Sequence, residues 1–127
     1  MFKNLGFLTL LFLLLVSGNA FAGMEHGKIL DYRIHHPKNN PAWVGIHWFR
    51  LIDSTTGVGK VVSGCTAIVQ NDKNASLFVI EGKDQLATII AAFAANMTVQ
   101  VYVDGTAQNG YCMARFIDLR QDLQPNR

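Results

Sequence analysis

Cysteine and histidine carry the most reactive side chains in this sequence, and both are sparse: two cysteines and four histidines in 127 residues. A reactive thiol needs a cationic or imidazole neighbour that favours the thiolate. A structural zinc site needs four ligands at short spacing. Cys65, in "VVSGCTAIV", and Cys112, in "NGYCMARF", have neither kind of company in sequence, so they are expected to pair with each other as a disulfide. His35 and His36 are adjacent, and neighbours on a strand point to opposite faces. They cannot both ligate one ion without a bend at Pro37. His35 or His36, together with His47 and Asp31, would make a three-ligand site for a borderline metal. Surface histidines near a turn are the ordinary alternative, and no metal or other cofactor is expected. Beyond the first twenty residues the serines are Ser54, Ser63 and Ser76. None stands in the glycine-flanked elbow that exposes a nucleophile. No phosphate loop or dinucleotide fingerprint occurs. The protein is therefore expected not to be an enzyme.

Aromatic residues offer a different chemistry, because flat rings can pack against the apolar side of a sugar or of another protein. Trp43 and Trp48 lie in "AWVGIHWFRLID" (42–53), which is rich in aromatic and branched residues and reads as a strand. Five positions apart on a regular strand, they point to opposite sides. Trp48 is expected inside, beside Val44 and Ile46, and Trp43 outside. In "TVQVYVDG" (98–105), Val99, Val101 and Val103 alternate with Gln100, Tyr102 and Asp104. The valines belong to a core and Tyr102 turns outward between an amide and a carboxylate. Trp43 and Tyr102 are the two candidate ligand contacts from this reasoning.

The elements that would position these residues follow a simple order. "MFKNLGFLTLLFLLLVSGNAFAG" has a positive start at Lys3, an apolar run, and a small-x-small site at Ala20-Phe21-Ala22. Those are the parts of a secretory signal (1–22), and the run is too short to span a bilayer comfortably. An oxidising compartment would follow, secreted or periplasmic, which favours the disulfide. Residues 23–127 are expected to form one domain. The net charge of +2, with Lys and Arg scattered, is too weak a bias to imply nucleic acid.

Within that domain, 27–36 alternates, with Leu30, Tyr32 and Ile34 on one face and Ile29, Asp31, Arg33 and His35 on the other. Strands are also expected over 42–53, 60–69 and 75–82, with turns at 37–41 and 70–74. Over 83–97 the period changes: Leu86, Ile89, Ile90, Phe93 and Met97 fall on one helical stripe, with Phe93 expected to cap the barrel or its core. Asn96 suits a left-handed helix end. Strands over 98–105, ending in an Asp104-Gly105 turn, and over 111–120 complete the chain before a polar, frayed tail (121–127). Four strands, one helix and two strands make a mainly β domain. A small closed barrel capped by the helix leaves no open edges. An open α+β sheet with the helix on one face is the alternative.

The residues "SGCTAI…LFVIEG…LATIIAAFAANMTVQVYVDG…YCMARFIDL" resemble, over about residues 27–119, small secreted proteins similar to the B subunit of subtilase cytotoxin and its pertussis-like relatives. The resemblance implies an OB-fold barrel and, in toxin members, a ring of five subunits that binds surface glycans. Those members use a serine just before the position matching Gly27; here that position is His26, in "EHGKIL". Sialic-acid binding is therefore not carried over, and His26 becomes a third candidate contact. The leading expectation is a non-enzymatic, toxin B-subunit-like binding module for a glycan or a protein surface. A cell-envelope inhibitor or interaction protein without glycan binding, monomeric or dimeric, comes next. A small metal-binding or catalytic protein is third.

Overall fold

A computed structural model describes residues 22–35, 46–106, 110–119 and 121–124. The elements are β1 (Ala22–Arg33), β2 (His47–Ile52), β3 (Ala67–Gln70), β4 (Lys73–Ser76), β5 (Phe78–Ile80), α1 (Lys83–Ala94), β6 (Thr98–Thr106) and β7 (Cys112–Asp118), with a 3-10 turn at Gln121–Leu123. Five strands close into a barrel in the order β1-β2-β5-β7-β6, and β6 returns to β1. The pairs are antiparallel except β5 and β7. The fold is thus mainly β with one helix among the described residues, a small closed OB-fold-like barrel. Closure excludes the open-sheet alternative.

β1 makes closure possible by serving two neighbours. Ala22 to Lys28 pair with β6, and Lys28 to Arg33 pair with β2. At the changeover, a Cβ on Gly27 would lie 2.5 Å from the Ile52 carbonyl oxygen, closer than real Cβ atoms come. Only glycine lets the strand bend through that point. One residue of β1 is then extra: Ile29 pairs with Leu51 and Asp31 with Arg50. This bulge overturns the strict alternation expected over 27–36. Ile29 is in the core and Tyr32 packs against the same core, although they are three positions apart.

The interior holds Phe49, Leu51, Phe78, Ile80, Val99, Val101 and Val103, all buried, as the valines were expected to be. Phe49 and Phe78 stack with centroids 5.2 Å apart. Trp48 is buried, as expected, but outside the barrel wall, where it clusters with Leu77 and Val79. The barrel-facing aromatic of β2 is its neighbour Phe49.

Several boundaries differ from the periodic reading. Five strands precede the helix, not four. Residues 60–66 are not strand: the Lys60 N–H donates to Leu51 O and the Cys65 N–H to Val62 O. β3 begins only at Ala67 and pairs with β4 as a separate two-stranded hairpin. Its turn, expected over 70–74, is the two residues Asn71 and Asp72, with φ of 54° and 60°; a hairpin of that length favours two left-handed residues. The expected strand 75–82 is interrupted at Leu77, whose N–H bonds Thr66 O. Asp104-Gly105 is not a turn. β6 runs on to Thr106, and Gly105, at φ 73°, occupies a register irregularity. Of the tail expected to be frayed (121–127), the described part, 121–124, is tied down: the Gln124 side chain bonds both the N–H (2.9 Å) and the C=O (2.7 Å) of Thr98, and 125–127 lie outside the described residues. Residues 42–45, within the expected second strand, lie outside the described residues.

α1 closes one end of the barrel. Asn96 has φ 53°, and the Met97 N–H reaches Ala92 O while the Asn96 N–H reaches Phe93 O, a left-handed stop of the kind Asn96 suggested. The buried line is Ile89 and Ala92, with Leu86 and Met97 packed at its margins. Phe93, expected to cap the barrel or its core, is 46% exposed and meets Tyr32 edge-on at 5.4 Å. The helix thus buries the Ile89–Ala92 line and leaves Phe93 at its edge. Chemical denaturation should therefore show Ile89→Ala costing about 2–5 kcal/mol. Phe93→Ala should cost about 1 kcal/mol, as suits a half-exposed ring. Equal losses would mean that the stripe, not Ile89, carries the packing.

Candidate functional site

The outer walls of the barrel differ in what they leave open. On β2, Trp48 and Arg50 point outward, yet both are buried, because the β3–β4 hairpin folds over them. Arg50 fixes this cover. Its Nε donates to Asp31 Oδ1 at 2.7 Å and its Nη2 to the other carboxylate oxygen. Nη1 donates to Ile68 O (3.1 Å) and Lys73 O (2.9 Å), and Nη2 also to Gln70 O (3.2 Å). All the guanidinium donors are thereby used, three of the bonds going to hairpin carbonyls. OB-folds bind oligonucleotides and oligosaccharides on the wall formed by their second and third barrel strands. Here those strands are β2 and β5, and the hairpin occupies that wall.

The opposite wall, β1–β6–β7, is open. Register places its side chains in rows. Met24, Tyr102 and Phe116 are successive partners across the three strands, and His26, Gln100 and Asp118 form the next row. Tyr102 and Phe116 stack with centroids 5.0 Å apart and planes 7° from parallel. Met24 is 43% and Phe116 45% exposed. His26 is exposed, while Gln100 is buried between the strands with its Nε2 turned toward Met24 Sδ at 3.6 Å. Beyond the aromatic row, Arg115 Nε meets Asp104 Oδ2 at 3.1 Å. Both side chains are about half exposed, so this pair adds little stability but sets a polar rim.

This wall unites two of the three candidate contacts. His26 on β1 and Tyr102 on β6 sit in adjacent rows of one face. Trp43 lies outside the described residues. Met24, Phe116 and Asp118 were not singled out as contacts from sequence, and Gln100, expected to turn outward with Tyr102, is instead 5% exposed, its amide taken up by Met24. Phe116 was hidden because Arg115 is a bulge residue: Tyr102 pairs with Phe116 but Val103 with Ala114, so simple alternation along 111–120 misplaces the face. Met24 was hidden because it stands directly after the leader-like start.

The other chemistry-bearing residues are engaged in structure. Cys65 and Cys112 form the expected disulfide, Cα–Cα 5.2 Å. Asp31 is held by Arg50, and among the described residues no group of three or more His, Cys, Asp or Glu side chains could hold a metal ion. His47 Nδ1 accepts the His35 backbone N–H at 3.0 Å. Burial, and then the nearby His35, push the His47 pKa below the ordinary histidine value. His36 lies outside the described residues. Ser54 Oγ bonds Thr98 Oγ1, and Ser76 Oγ accepts the buried Val62 N–H. No described helix is long and apolar enough to cross a membrane. No protein-family model, curated protein or solved structure matches the chain.

Proposed function

We propose that this protein is a non-enzymatic binding module, exported to an oxidising compartment, that presents its β1–β6–β7 wall to a glycan. The observation that carries this reading is the register: it sets an aromatic row (Met24, Tyr102, Phe116) directly beside a polar row (His26, Gln100, Asp118), on a wall where Met24, Phe116 and His26 are exposed. A sugar ring has an apolar C–H face and an equatorial belt of hydroxyls. Rings satisfy the first, while the Asp118 carboxylate and the exposed His26 imidazole satisfy the second, and the buried Gln100 amide steadies Met24 beneath them, the mix of apolar area and few polar groups that small ligands use. The disulfide and the leader-like start favour export. The likeness to toxin B subunits adds the expectation of a ring of five copies, which the mass in solution would test.

A second reading is an envelope inhibitor or interaction protein. Met24 favours it, because an exposed, adaptable thioether beside aromatic rings is typical of protein contact surfaces. A glycan array separates the two. Tyr102→Ala and Phe116→Ser should each weaken binding to the best array ligand about tenfold or more, the loss of one good stacking contact, with folding retained. Full binding by both variants would place the site elsewhere. An array with no ligand would favour the protein partner.

A further inference from the structure

We propose that His35 and His47 form an acid-sensitive clasp that holds the ends of β1 and β2 together at neutral pH and lets them part in mild acid. The backbone ladder between these strands ends at Arg33 and Trp48. Beyond it, closure passes to side chains. The His35 N–H donates to His47 Nδ1 at 3.0 Å, and His35 Nδ1 lies 3.0 Å from Ile46 O. A carbonyl only accepts, so the proton of the second bond sits on His35 Nδ1. The first bond has the opposite demand: His47 Nδ1 must offer a lone pair, so His47 must be neutral with its proton on Nε2. Protonating His47 at Nδ1 sets N–H against N–H and turns attraction into repulsion. The acceptor demand falls on His47 Nδ1, so His47 is the group that switches.

The surroundings do not rescue the imidazolium. None of the ion pairs among the described residues involves His47. The charged groups next to it in chain or register are Arg33 and His35 on β1 and Glu81 just beyond Ile80 (the β5 partner of His47), with Lys83 and Asp84 following along the chain in the first turn of α1. Arg33 is engaged over the Trp48 ring at 5.1 Å, and Glu81, Lys83 and Asp84 are exposed. Partial burial and the neighbouring His35 both lower the His47 pKa. An unfolded chain therefore binds this proton more readily than the folded one. The contribution of His47 to stability is fully present above about pH 6.5 and is lost as pH falls from there through the lower folded value.

The test is an NMR titration of the exported chain, following the His47 ring and the His35 amide exchange, corrected for the intrinsic effect of pH. His47 should titrate below 6.5, and in the same step the His35 amide should lose about tenfold in protection. His47→Asn, whose Oδ1 can accept the same N–H but does not titrate, should keep that protection through mild acid. His47→Ala should lack it at every pH. Unchanged His35 protection across the His47 titration would overturn the clasp, and so would an equal acid loss in His47→Asn.

Discussion

Arg50→Ala should destabilise the fold by about 3–5 kcal/mol in urea denaturation, because it leaves Asp31 and several carbonyls without their buried partner. Arg50 is fully buried and bonds Asp31 and the carbonyls of Ile68, Gln70 and Lys73. Its loss should first free the β3–β4 hairpin, so amide exchange in Ala67–Ser76 should rise more than exchange in β6. Asp31→Asn should also be destabilising, because it leaves the fully buried Arg50 guanidinium without its counter-charge and sets an amide N–H against an Arg50 N–H. A combined Asp31→Asn, Arg50→Met chain should recover part of the Arg50→Ala loss, as apolar replacement of a buried pair often does. A loss under about 1 kcal/mol for Arg50→Ala would show that the hairpin is not anchored through the guanidinium.

Removing the disulfide should have an effect of similar size. Cys65 and Cys112 are 47 positions apart, and a closed loop of that length corresponds to about 3–4 kcal/mol in the chain-entropy description. The bond ties the irregular 60–66 segment to the start of β7, beside Val62 and Phe78 in the core. A Cys65→Ala, Cys112→Ala chain should melt at lower temperature while its β1–β2 register stays intact. Rapid labelling of both thiols in the native protein, without denaturant, would contradict the pairing.

The parts of this fold that were legible in the sequence are those where one period runs uninterrupted. Val99, Val101 and Val103 alternate without a break, and all are buried. The same alternation put Tyr102 outward, on the wall where it stands. Asn96 ends the helix because few residues tolerate its left-handed backbone. The illegible parts are bulges and side-chain locks. An extra residue near Leu30 and another at Arg115 each flip the faces beyond them, and nothing in the residue types announces a bulge there. Trp48 read correctly as buried, but a second apolar layer under the hairpin could not be foreseen, because Arg50 looks like a surface residue until its partners are in place. Phe93 and Ile89 share one helical stripe, but the barrel takes Ile89 together with Ala92 and leaves Phe93 half exposed, a rotation of the helix that its periodicity alone does not set.

Backbone amide shift mapping with the best ligand from a glycan array tests the central claim most directly. Ligand added to labelled protein should move the signals of Met24, His26, Gln100, Tyr102, Phe116 and Asp118 together, leaving Ala67–Ser76 and α1 still. Shifts confined to the β3–β4 hairpin or to the exposed side of α1 around Ile90 and Phe93 would contradict the assignment of the β1–β6–β7 wall as the binding face.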